Sequence, residues 1–182
     1  MKVDQSIFAL WTFSLNHMQL NVGFKEIDPM QSRMEAQKVS PAAYQAMLGL
    51  EMFVRKHSKL EPSLLELVKM RASQINGCAY CIDMHSKDAR AEGETEQRLY
   101  ALSAWEETPF FTDRERAALA MTDAVTLISE GHVPDAVYER AKKSFSDEEL
   151  VSLTLAIVAI NGWNRLSIVF RAVPGEYQPG KK

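Results

Sequence analysis

The chain reads as an all-α protein, and three observations carry that reading. Helix-start signals recur at Ser40-Pro41, Glu61-Pro62, Thr112-x-x-Glu115 and Ser146-x-x-Glu149, each ahead of a segment of helical periodicity. The apolar run Leu150 to Ile160 is too long for a typical strand and fits a buried helix. No stretch alternates apolar and polar residues between hairpin turns.

The elements follow in order. Residues 1–39 mix aromatics (Phe8, Trp11, Phe13, Phe24) with Asn and Gln and hold no sustained helical stripe, so they read as an N-terminal extension or arm. Met30 and Met34 precede the first strong helix signal and are alternative candidates for the translation start. Ser40 as N-cap with Pro41 at the first helical position starts a helix expected to reach His57, with Tyr44, Met47, Leu48 and Met52 on its apolar face. Glu61-Pro62 opens a second helix with the stripe Leu64, Leu65, Val68 and Ala72, interrupted by Asn76-Gly77. A third begins near Cys78 and stops around Gly93. The capping box Thr112–Glu115 starts a helix predicted to end at Gly131, and Pro134 starts the next. A second capping box, Ser146–Glu149, heads the long apolar helix.

A weak internal repeat overlies this order. Ile75-Asn76-Gly77 and Ile160-Asn161-Gly162 are the same tripeptide 85 positions apart. That offset sets Leu65 on Leu150 and Val68 on Leu153, and predicts a capped apolar helix, a break and a further helix in each copy. It places Trp163 at the position of Cys78 and Leu166 at that of Cys81.

The bulk properties bound the function. At 182 residues the chain fits one domain, and its 46% hydrophobic share can fill a core. A net charge of −3 gives no basic footprint for nucleic acid and no polybasic patch for a membrane surface. No run of about 18 apolar residues is present, so no transmembrane helix is expected. Ile7 to Leu15 follows Lys2 as a short apolar run, but Asp4 and the lack of a small-x-small site argue against a secretory leader. A cytoplasmic location is expected.

The chemistry concentrates in Cys78-Ala79-Tyr80-Cys81-Ile82-Asp83-Met84-His85, which holds both cysteines of the chain. Two cysteines do not make a secreted disulfide framework, and a lone C-x-x-C in a reducing compartment reads as catalytic or metal-binding. A helix N-terminus favours the thiolate through its free N–H groups and dipole. Residues i and i+3 on a helix are about 5–6 Å apart, inside the range a disulfide needs, so the pair can open and close with little backbone movement. His85 is one turn beyond Cys81 on the same face. Glu66 lies ten residues before Asn76 and His85 eight after Gly77. Across a helical hairpin both sit at similar depth, where a carboxylate can orient an imidazole and raise its basicity. A surface position for Glu66 is the plain alternative. A metal site of Cys78, Cys81, His85 and Glu66 is another, although structural zinc sites generally use two separated ligand pairs. His17, His57 and His132 have no partners at ligand spacing and read as surface or capping residues. Trp163 and Arg165 read as packing anchors, and the nine methionines as core or interface filler.

The spacing Glu66-x11-Cys78-x-x-Cys81-x-x-x-His85 resembles the signature of the alkylhydroperoxidase D (AhpD) family, part of the carboxymuconolactone decarboxylase-like superfamily. The motif Asn-Gly-Cys-x-Tyr-Cys-x-x-x-His is similar to its peroxidase-related branch. So are Ile160-Asn161-Gly162-Trp163-Asn164-Arg165 and Pro174-Gly175-Glu176-Tyr177. The resemblance covers about residues 40–178, leaving 179–182 as a tail. It implies an AhpD-like all-helical fold and homo-oligomers (a trimer, hexamer or dimer). It implies reduction of hydroperoxides by the thiol pair with no cofactor and no metal. Cys81 would be the peroxidatic thiol and His85 its acid/base. Glu66 would orient or activate His85, directly or through a water. Cys78 would be the resolving thiol, nearer the surface, where a dihydrolipoyl-type or thioredoxin-like dithiol reductant regenerates the pair. Well-studied members carry a histidine immediately before the second cysteine, where this chain has Tyr80. A decarboxylase-like lyase and a non-enzymatic helical oligomerisation module are the alternative functions.

Overall fold

The computed structural model describes residues 30–180. The N-terminal arm before Met30, His17 included, lies outside the described residues. Among the described residues there are eight α-helices: α1 (Ala36–Val39), α2 (Pro41–His57), α3 (Pro62–Asn76), α4 (Ala79–Ala91), α5 (Glu96–Ala101), α6 (Asp113–Thr126), α7 (Asp135–Ser144) and α8 (Asp147–Phe170). Among the described residues there is no strand.

α3 is the hub of the fold. It packs on α4, α6 and α8 together, so it is buried nearly all round, with every residue from Leu64 to Met70 buried, Glu66 and Lys69 included. Its stripe of Leu64, Leu65 and Val68 meets Ala117, Ala118 and Met121 of α6 and Leu150, Leu153, Ala156 and Ile157 of α8. Its other side, Leu67 and Met70, meets Ala89 of α4 and Leu99, Leu102, Trp105 and Leu119. The sequence reading had no element for the α5 region. α5 runs on into a 3₁₀ turn, Leu102–Glu107, that inserts Leu102 and Trp105 into this second cluster.

The two capping boxes form as expected. Thr112 Oγ1 and Ser146 Oγ each accept from the N–H three residues on, while Glu115 and Glu149 return the bond to the cap N–H. Four expectations are corrected. Ser40 is in the N-cap position of α2, but its hydroxyl makes no capping bond. On α2, Val54 is the buried residue and Met52 is exposed, because only one edge of the helix touches α8. α6 ends at Thr126, and a 3₁₀ turn, Ile128–Glu130, intervenes before Gly131.

The fourth correction concerns the repeat. Ile160-Asn161-Gly162 does not break a helix, because α8 is continuous through it. Gly77 turns the chain at φ +67°, in the left-handed region that suits glycine. Gly162 instead stays helical, and a Cβ there would lie 2.7 Å from Met47 Cε, so its smallness makes room for the tip of the Met47 side chain.

α8 is also long and apolar enough, by length and composition alone, to cross a membrane, with a window of mean hydropathy 1.4. The buried core helix of a globular protein passes the same test. Burial against α2, α3, α4, α6 and α7 accounts for the apolar character of its inner face.

Candidate active site

The α3–α4 corner builds the site. Gly77 ends α3, and Cys78 becomes the N-cap of α4 with Sγ accepting from the Cys81 N–H at 3.4 Å. That geometry puts the sulfur at the positive end of the helix, where a thiolate is favoured. Cys78 and Cys81 are paired sulfur to sulfur, with Cα atoms 5.4 Å apart, within the normal range for a disulfide.

An asparagine network holds this corner. Asn76 Nδ2 donates to Asn161 Oδ1 at 3.0 Å and to Asn164 Oδ1 at 2.9 Å, and Asn164 Nδ2 donates to Ser73 Oγ at 3.0 Å. The two asparagines related by the 85-residue offset thus touch each other. Both cysteines lie in a small apolar cluster with Ala72 and Ile160, against which Tyr80 and Trp163 pack. Trp163 in turn meets Tyr44 edge-on at 5.1 Å, so its packing role is direct. Cys78 and Cys81 are each 1% exposed. Cys78 is therefore not nearer the surface than Cys81, because Trp163 and Tyr80 cover the corner from outside. Burial, then the nearby Tyr44 and Asp83, push the Tyr80 phenol above its usual range, so it stays protonated at neutral pH.

Glu66 and His85 face each other across α3 and α4, with Oε2 and Nδ1 2.7 Å apart. The contact is direct and needs no intervening water. Both residues are buried, at 5% exposure, which removes the surface reading of Glu66. Burial pushes the Glu66 carboxyl up. The His85 hydrogen bond and charge, then Lys69, outweigh that and hold it at about 2. Glu66 is therefore an ionised acceptor at neutral pH, and the His85 ring donates from Nδ1.

Three neighbours were missed in the sequence. Lys69, 2% exposed, donates to Glu66 Oε1 at 3.3 Å and to Glu51 Oε1 of α2 at 2.8 Å. Its i,i+3 spacing from Glu66 was a usable signal, whereas the Glu51 contact depends on how α2 packs. Asp88 brings a carboxylate oxygen within 4.8 Å of the Glu66 and His85 ligand atoms. Among the described residues this is the one group of His, Cys, Asp and Glu ligand atoms gathered so closely. The set Cys78, Cys81, His85 and Glu66 weighed as a metal site is not brought together, because the sulfurs face each other. His57 stacks at a tilt on Phe53, and Arg165 Nη1 donates to the Asn161 carbonyl.

Comparison with known proteins agrees with this architecture. A family model described as the carboxymuconolactone decarboxylase family matches residues 41–124, which include Glu66, Cys78, Cys81 and His85. The uncharacterised protein YdfG of Bacillus subtilis is 44% identical over 139 residues, covering 76% of this chain and 94% of that one. A crystal structure of a protein of unknown function from Agrobacterium tumefaciens, proposed to be the antioxidant defence protein AhpD, is 45% identical. It superposes with a TM-score of 0.78 over 81% of this chain and all of that one. The AhpD core of an uncharacterised peroxidase-related protein from Ralstonia eutropha JMP134 is 19% identical, with a TM-score of 0.68 over 78% of this chain and 75% of that one, and shows the shared fold. With its all-helical AhpD-like fold and these relatives, the chain belongs to the carboxymuconolactone decarboxylase family.

Proposed function

We propose that the protein is a thiol-dependent peroxidase that reduces alkyl hydroperoxides or hydrogen peroxide through a Cys78–Cys81 dithiol/disulfide cycle. The observation that carries this reading is the 2.7 Å contact between ionised Glu66 and His85, one helical turn from a sulfur pair at a helix N-terminus. Cys81 as thiolate attacks one peroxide oxygen, and the O–O bond breaks. The departing alkoxide or hydroxide takes a proton from the protonated His85 ring, oriented by Glu66. Cys81 is left as sulfenic acid. Cys78 attacks it, water leaves, and the disulfide forms. A dithiol of dihydrolipoyl or thioredoxin type returns two electrons and two protons by exchange. Since both sulfurs are buried, that exchange requires Trp163 or Tyr80 to move aside. The same reading places the protein in the cytoplasm as a homo-oligomer, with exposed Val151, Val158 and Val169 on α8 available to a second copy. Light scattering of the purified chain measures that mass.

The test is single-turnover reaction of the reduced protein with cumene hydroperoxide, followed by free-thiol count. Wild type should lose two thiols per peroxide. Consumption of peroxide by Cys81→Ser at the wild-type rate overturns the assignment.

A further inference from the structure

The motif Pro174-Gly175-Glu176-Tyr177 has no part in the chemistry above, yet the fold carries it back to the candidate site. After α8 the chain crosses α4 as a strap. Lys87 Nζ donates to the carbonyls of Gly175 and Tyr177, each at 3.2 Å, and the Gly175 N–H donates to Asp83 Oδ2 at 3.0 Å. These bonds deliver the Tyr177 hydroxyl to Asp88 Oδ1, to which it donates at 2.6 Å.

We propose that Asp88 is a second carboxylate of the His85 site and that Tyr177, carried by the C-terminal strap, is the positioning residue that keeps it there. This rests on the reading of His85 as the acid/base of the thiol pair.

Asp88 is three residues after His85, so the two share a helix face. Its carboxylate has no direct bond to the ring but lies within 4.8 Å of the Glu66 and His85 ligand atoms, close enough to act through charge. Among the described residues no lysine or arginine pairs with Asp88, and its side chain accepts from the neutral Tyr177 hydroxyl. Burial, then the bond to Asp88, push the Tyr177 phenol far up, so it serves as a donor and not as a charge. The charged groups around the ring come from three helices. α2 supplies Glu51 and Arg55, 3.7 Å apart. α3 supplies Lys69 and Glu66, and α4 supplies Asp88. Glu51 is paired with Arg55 and Lys69, and Glu66 with Lys69 and the His85 ring. Asp88 is the carboxylate of this group that has no ion-pair partner among the described residues.

The experiment is a pH titration of the ¹⁵N-labelled histidine ring signals in the full-length protein with the cysteine pair oxidised, His85 being assigned through His85→Ala. Asp88→Asn should lower the pH midpoint of the His85 signal by about one unit, as expected for loss of a charge at this range. Asp88→Glu should return it to near the wild-type value. Tyr177→Phe keeps the ring in place but frees Asp88, and should show part of the Asn effect at an unchanged far-UV spectrum. A midpoint unmoved in Asp88→Asn overturns the proposal. Should that variant not fold, an unmoved midpoint in Tyr177→Phe does the same. The titration needs no turnover. Normal peroxide reduction with an unmoved midpoint therefore sinks only the Asp88–Tyr177 proposal, while a shifted midpoint in an inert protein sinks only the peroxidase reading.

Discussion

Glu66→Gln is the perturbation that tests the buried charges most directly. The substitution keeps the shape and an amide oxygen that can still accept a bond, but removes the charge between His85 and Lys69. In the folded protein the Glu66 carboxyl is lowered from 4.5 to about 2. A drop of that size corresponds to about 3 kcal/mol of folding stability at neutral pH. Loss of one partner from a buried ion pair falls in the same range, because Lys69 would keep Glu51 alone. A carboxyl depressed by folding stabilises the protein fully above its unfolded value and loses that contribution as pH falls through the folded one. The gap between wild type and Glu66→Gln should therefore be about 3 kcal/mol at pH 7 and shrink to about 1 kcal/mol near pH 2.5. Urea unfolding followed by far-UV circular dichroism at the two pH values measures it. Glu115, Glu149 and Asp83 are also held below the usual carboxylate range and titrate in both proteins, so the difference between the curves isolates Glu66. An equal gap at both pH values would refute the argument.

Other outcomes follow from the same geometry. His85→Ala should slow reaction of the reduced thiols with cumene hydroperoxide by about 10²-fold or more in stopped flow, the usual scale for losing a general acid/base. Gly77→Ala places a Cβ at φ +67° and should cost about 1 kcal/mol in chemical denaturation, although the space itself is open. Asn164→Ala takes from buried Ser73 Oγ its donor and from Asn76 Nδ2 one of three acceptors and should cost about 1–3 kcal/mol by thermal melting. If Asn164→Ala melts as wild type does, the network does not hold the corner.

Much of this protein was legible in its amino-acid order. Helix starts depend on a cap and the next three or four residues, so Pro41, Pro62 and the two capping boxes mark them within one turn. The cysteine pair and His85 are likewise bound together by the period of one helix. Where reading failed, the cause was long range. Gly162 and Gly77 stand in the same tripeptide, and only the proximity of Met47 to one and the turn at the other separate their roles. Glu66 meets His85 across 19 positions, a pairing that the hairpin depth count already marked, whereas Tyr177 meets Asp88 across 89 with no local spacing to mark it. Residue types and helical spacing determined which groups are available for thiol chemistry. The packing of α2, α3, α4 and the C-terminal strap decided which of them share a buried, low-dielectric space. Charges interact strongly only where water is excluded, and several helices had to close together to exclude it here.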